Sequence, residues 1–98
     1  MCMEGKNEIE YGDGFLKELY QLPREAVDKF SFLLESLAEN VFDPRLHTKS
    51  LGPPLKDKYS FRITRDWRVG FMFSGKNRIQ LLVADHRSRI YERMRRLL

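Results

Sequence analysis

Residues 59–73 read Tyr59-Ser-Phe-Arg-Ile-Thr-Arg-Asp-Trp-Arg-Val-Gly-Phe-Met-Phe73, and the apolar positions recur every second residue. Tyr59, Phe61 and Ile63 point one way and Ser60, Arg62 and Thr64 the other, which is the side-chain period of a β-strand with one buried face. Arg65-Asp66 interrupts the run as a turn, and Trp67, Val69, Phe71 and Phe73 then alternate with Arg68, Gly70 and Met72. Ser74-Gly75-Lys76-Asn77 has the composition of a hairpin turn. A third strand is expected over residues 78–84, with Ile79, Leu81 and Val83 opposite Gln80, Leu82 and Ala84. Connections this short join strands that run antiparallel, so residues 59–84 predict a meander.

Upstream the period lengthens. Residues 7–11 alternate weakly through Ile9 and Tyr11 and fit a short edge strand. Asp13 is the expected N-cap of a first helix bearing Phe15, Leu16, Leu19 and Leu22, which Pro23 ends. Val27, Phe30, Leu33, Leu34, Leu37 and Val41 mark the apolar stripe of a second helix, closed by Asp43-Pro44. Residues 45–58 read as a basic loop stiffened by Gly52-Pro53-Pro54. After the meander, a final helix from Ser88 places Ile90, Met94 and Leu97 on one stripe. The expected fold is therefore α+β, in the order β-α-α-β-β-β-α. An N-terminal helical hairpin packs on the aromatic face of an antiparallel sheet. The face carrying Arg62 and Arg68 is left uncovered by those helices.

Ninety-eight residues suit one domain over residues 1–98, with 1–6 as a loose tail. The 42% hydrophobic and 33% charged fractions exclude a disordered or fibrous chain. One cysteine, Cys2, excludes an internal disulfide and falls short of a structural zinc site. No apolar run is long enough for a membrane span, and the charged first residues do not read as a signal peptide. A cytoplasmic protein without membrane contact is expected. The net charge of +4 hides an asymmetry: residues 1–44 carry four Lys/Arg against ten Asp/Glu, whereas residues 45–98 carry fourteen against four. Ten of those fourteen cations are arginines, whose planar fork matches phosphate, so a polyanionic partner is expected on the basic half.

Serine-nucleophile, P-loop and dinucleotide glycine motifs are absent. His47 and His86 are the only histidines, and the Asp85-His86 pair is isolated, so neither a metal nor another cofactor is expected. What remains is a set of arginines around a tyrosine. Asp85-His86-Arg87-Ser88-Arg89-Ile90-Tyr91 lies where the last strand gives way to the final helix, a junction expected to stand close to Arg62 and Arg68. Like charges on one face of adjacent strands repel by a few tenths of a kcal/mol to about 1 kcal/mol, which a phosphate site would justify. Arginines around a phosphate also stabilise the added charge of a pentacovalent transition state. Neighbouring cations would favour the phenolate of Tyr91, making it a base for a ribose 2′-hydroxyl. Stacking on a nucleobase, or simple packing of the helix on the sheet, are its other readings.

The run from Lys49-Ser-Leu-Gly through Tyr59-Ser-Phe-Arg-Ile-Thr-Arg-Asp-Trp-Arg-Val, followed by Asp85-His-Arg-Ser-Arg-Ile-Tyr, resembles the RelE/ParE superfamily of toxins. It is most similar to the RelE-type mRNA interferases of type II toxin–antitoxin systems, over about residues 9–91. The resemblance implies a metal-independent endoribonuclease acting on messenger RNA in the ribosomal A site. The 2′-hydroxyl attacks the adjacent phosphorus and a 2′,3′-cyclic phosphate results. It implies that Arg62 and Arg68 hold the scissile phosphate, that Arg87 stabilises the transition state or assists the leaving 5′-oxygen, and that Tyr91 is the base or stacking residue. Lys49, Lys56, Lys58, Arg65, His86 and Arg89 are the implied RNA-binding residues. The implied partner is a cognate antitoxin, with operator DNA bound only through the antitoxin complex. Ser60 stands where some of these nucleases carry a lysine, and His86 or His47 are further acid–base candidates. A ParE-type inhibitor of DNA gyrase and a noncatalytic, antitoxin-binding member are the competing readings.

Overall fold

Three long strands form the centre of the sheet: β3 (Lys58–Arg62), β4 (Trp67–Gly75) and β5 (Arg78–His86). Their pairing is antiparallel, with Phe61 opposite Val69, Tyr59 opposite Phe71, and Val69 opposite Ala84. The computed structural model describes residues 7–97, so the expected tail at 1–6, with Cys2, lies outside the described residues. Two short strands extend the meander. β1 (Glu8–Tyr11) lies parallel to β5 at one edge, and β2 (Lys49–Ser50), inside the expected loop, lies antiparallel to β3 at the other. The order is β1-β5-β4-β3-β2, an α+β fold whose sheet is mixed because of β1.

The helices α1 (Phe15–Leu19) and α2 (Arg24–Glu39) cover one face, and α3 (Ile90–Arg95) lies on the other. Phe15, Leu19, Phe30, Leu33 and Leu37 pack against Phe61, Val69, Phe71, Ile79 and Leu81 in the main core. The alternation of strand residues and the three-to-four spacing of α2 make this interface.

The helix ends depart from the sequence reading for local reasons. Asp13 does not cap α1: Gly14 takes the N-cap position at φ 80°, a backbone conformation glycine adopts without penalty. The helix then stops at Leu19, short of Leu22, and Pro23 directly precedes α2. Asn40 is extended and ends α2 before Val41, which is nevertheless buried. Asp43 caps a 3₁₀ turn at Pro44–Leu46 instead, its side chain accepting the Arg45 N–H at 2.9 Å. Ile63 and Thr64 leave β3 to bond the Trp67 carbonyl. β5 runs two residues beyond Ala84, and the final helix begins at Ile90 rather than Ser88, leaving Leu97 half exposed.

The second sheet face is also not bare. Ile90 and Met94 of α3 join Leu55 and Val83 in a small separate core. Gly70 makes this possible, because a Cβ there would stand 2.3 Å from the Met94 sulfur. Among the described residues no helix is long and apolar enough to cross a membrane.

Candidate functional site

Alternation along β3 puts Lys58, Ser60 and Arg62 on the face that α3 shares. The register sets Arg62 directly opposite Arg68 and Ser60 opposite Gly70 on one side and Lys49 on the other. Three adjacent strands thus deliver Lys49, Arg62 and Arg68 around one buried serine.

The junction after β5 supplies the remainder. The Arg87 N–H donates to the Asp66 carbonyl at 2.8 Å, and its Nε stands 3.6 Å from an Asp66 carboxylate oxygen. The two turns at this end of the sheet are thereby tied together. Ile90 buries itself in the small core, and the next residue, Tyr91, stays 40% exposed. Lys49, Ser60, Arg68, Arg87 and Tyr91, with Ser50, Leu51 and Ile90, line one open cleft of about 350 Å³. Among the described residues no carboxylate lines it.

Like charges dominate this cleft. Partial burial, and then the charges of Arg62 and Arg87, lower the pKa of the Arg68 guanidinium below its ordinary value. Even so, arginine stays charged at any physiological pH. A site that raises the cost of its own cation is relieved by an incoming anion. Two polar atoms are buried without a hydrogen-bond partner among the described residues, Ser60 Oγ and Arg62 Nε. Both belong to the same face of β3, and such groups cost about 1–3 kcal/mol each when unmatched. Tyr91 donates its O–H to the Pro53 carbonyl at 3.4 Å, a long contact that holds the ring loosely.

The structure brings together Lys49, Arg68, Arg87 and Tyr91, with Arg62 alongside. The other RNA-binding candidates lie elsewhere. Lys56 is exposed in the loop before β3, Lys58 begins that strand on the Ser60 face, and Arg65 is exposed in the β3–β4 turn. His86 lies edge-on to Trp67 with ring centres 5.3 Å apart, and its Nδ1 meets Ser88 Oγ at 2.9 Å. Arg89 is ion-paired with Asp85 at 2.9 Å and borders a different hollow. His47 is exposed, in the left-handed conformation that ends the 3₁₀ turn. Sequence reasoning placed Lys49 in a loop. The two-residue strand that aims it at the site is too short to show a period. It also missed the clamp of Asp66 on Arg87, which joins residues 21 positions apart and leaves no local signal.

No protein-family model matches the chain, and no curated protein matches it in sequence. Solved structures do match. The backbone is similar to a chain of the RelB–RelE antitoxin–toxin complex from Methanococcus jannaschii (TM-score 0.69, 20% identity, 86% of this chain and 96% of that chain). It is similar also to one from the archaeal RelE–RelB complex of Pyrococcus horikoshii OT3 (TM-score 0.68, 21% identity, covering 86% and 98%). A YoeB/ParE toxin from Agrobacterium tumefaciens superposes with TM-score 0.68 at 16% identity, covering 81% and 96%. The fold is the one these toxins share.

Proposed function

We propose, from the premise that the chain has the RelE/ParE toxin fold, that it is a single-domain cytoplasmic toxin of a type II toxin–antitoxin system. Its activity is metal-independent, ribosome-dependent endonucleolytic cleavage of messenger RNA. The observation carrying this reading is the convergence of Lys49, Arg68, Arg87 and Tyr91, from three separate segments, on one cleft that no carboxylate of the described residues lines.

Arg68 and Arg87 grip the non-bridging oxygens of one phosphodiester by charge-assisted hydrogen bonds, with Arg62 and Lys49 adding field from either side. As the 2′-oxygen bonds to phosphorus, these cations neutralise the charge that accumulates on the pentacovalent phosphorane. The 2′-hydroxyl proton passes to the Tyr91 oxygen, which hands its own proton to solvent water. The bond from phosphorus to the 5′-oxygen breaks as that oxygen takes up a proton from solvent water. The products are a 2′,3′-cyclic phosphate and a 5′-hydroxyl. Lys56, Lys58 and Arg65, on exposed or rim positions, serve the RNA backbone outside the cleft. A cognate antitoxin covers the basic face with an acidic or amphipathic segment; an antitoxin partner is supported by two of the similar folds, which are complexes of RelE with RelB. Operator DNA is reached only through that complex.

Induction in cells, with mapping of messenger 5′ ends, tests the reading. Wild type should give cuts in phase with codons, and Arg68→Ala or Arg87→Ala should abolish them while antitoxin binding persists. Equal growth arrest by wild type and both variants, or intact messages with damaged DNA, would overturn it.

A further inference from the structure

β5 outruns its neighbour. β1 pairs with it only as far as Tyr11 opposite Leu81, and the chain turns away at Gly12, whose N–H donates to the Leu81 carbonyl at 2.8 Å. Beyond that point β5 is an open edge with unclaimed backbone groups. Glu18 of α1 fills the gap: its Oε1 accepts the Ala84 N–H at 3.2 Å, and its Oε2 accepts from Arg93 of α3. The other arm of the same guanidinium, Nη1, donates to Asp85 Oδ2 at 2.7 Å. Asp85 Oδ1 is claimed by Arg89 at 3.0 Å and by the His86 N–H at 2.6 Å. One carboxylate on α1 therefore stands in for a missing strand and, through Arg93, reaches around the sheet edge to the helix on the far side.

α3 needs such a tie. Six residues are too few to hold a helix in water. The apolar anchor is small, with Ile90 and Met94 against Leu55 and Val83. Yet this element carries Tyr91, and the turn leading into it carries Arg87, so two of the cleft's functional groups depend on where it sits.

We propose that Glu18 is a positioning residue: with Arg93 and Asp85 it forms an ionic latch that sets α3, and through it Tyr91 and Arg87, against the cleft. The consequence for RNA cleavage rests on the function proposed above, whereas the latch does not. Glu18 lies outside the cleft, on the helical hairpin that builds the opposite core, and meets the segments that carry cleft residues through Ala84 of β5 and Arg93 of α3.

Three variants of the full chain test it. Glu18→Gln keeps an acceptor for the Ala84 N–H but turns an amide N–H toward Arg93. Arg93→Met breaks the latch from the other end, and Arg93→Lys restores a cation. Hydrogen exchange at amides 93–97 should quicken about tenfold or more in the first two variants and recover in part in the third. The turnover number should fall about tenfold to a hundredfold, with KM within about threefold of wild type and the global unfolding midpoint little changed. Unchanged exchange in both Glu18→Gln and Arg93→Met would overturn the latch. Faster exchange with undiminished turnover would overturn the positioning role. If wild type cleaves no RNA, the proposed function falls instead, and the exchange measurement alone upholds or overturns the latch.

Discussion

At the scale of single residues, the site is defined by what each side chain lacks. Arg68 has cations for neighbours, Ser60 Oγ and Arg62 Nε have no partner among the described residues, and the Tyr91 hydroxyl has only a distant carbonyl. Elsewhere the same residue types are satisfied: Arg45 pairs with Asp43 at 3.0 Å and Arg78 with Glu8 at 3.2 Å. Those pairs are exposed and contribute little to stability. The contrast of these paired arginines with Arg62 and Arg68, rather than the number of arginines, marks the cleft, where Arg87 is held by Asp66. Tyr91→Phe then separates the two chemical roles open to this residue, since it deletes the oxygen and keeps the ring. In the proposed mechanism turnover falls about 10²–10⁴-fold, the range for a lost general base, with KM and folding unaffected. Single-turnover cleavage measures this, and a Phe variant as fast as wild type would assign the ring to stacking instead.

At the scale of elements, position along the strands was legible in the sequence and the ends of the helices were not. The alternation in residues 59–73 correctly separates Phe61, Val69 and Phe71, which are buried, from the directly opposed pair Arg62 and Arg68, of which Arg68 lines the cleft. That signal is long and repeated. α1 is a turn and a half whose start depends on one glycine conformation, and α3 is held by contacts rather than by propensity, so neither boundary has a strong local cause. The docking of α3 on β4 yields a further test. In Gly70→Ala the new methyl meets the buried Met94 side chain and one of them must move. The expected loss is about 1–3 kcal/mol of overpacking strain, read from the urea midpoint. Faster exchange at the α3 amides should accompany it. A neutral Gly70→Ala would mean that α3 does not rest on β4 at that point.

At the scale of the whole molecule, charge and fold are arranged as two unequal halves. The acidic N-terminal half forms the helical hairpin, the basic half forms the meander and α3, and the Glu18–Arg93 contact is one place where the two are joined across the sheet edge. The latch has a definite acid limit. Burial acts to raise the Asp85 carboxyl, but hydrogen bonds from Arg89, the His86 N–H and Arg93 outweigh it and hold the pKa below the ordinary carboxylate range. A depressed folded-state pKa means that the unfolded chain binds more protons near pH 4, so this stability is present above the unfolded value. It is lost as pH falls through the folded one. Thermal midpoints should therefore be flat with respect to this group from pH 5 upward and decline below about pH 4. Asp85→Asn should remove part of that decline. An identical acid profile in the variant would show that Asp85 contributes nothing to it.

From residues 59–91 alone came the meander, its aromatic inner face, and the expectation that arginines and a tyrosine gather at one end of the sheet. Strand periodicity and charge are properties of neighbouring positions and survive without a fold. The cleft itself, the entry of Lys49 by way of a two-residue strand, the clamp of Asp66 on Arg87, and the reach of Glu18 around the β5 edge were decided only by tertiary structure. Each joins residues far apart in the chain, and a contact across such a distance exists only once the sheet has set the register that brings its two ends together.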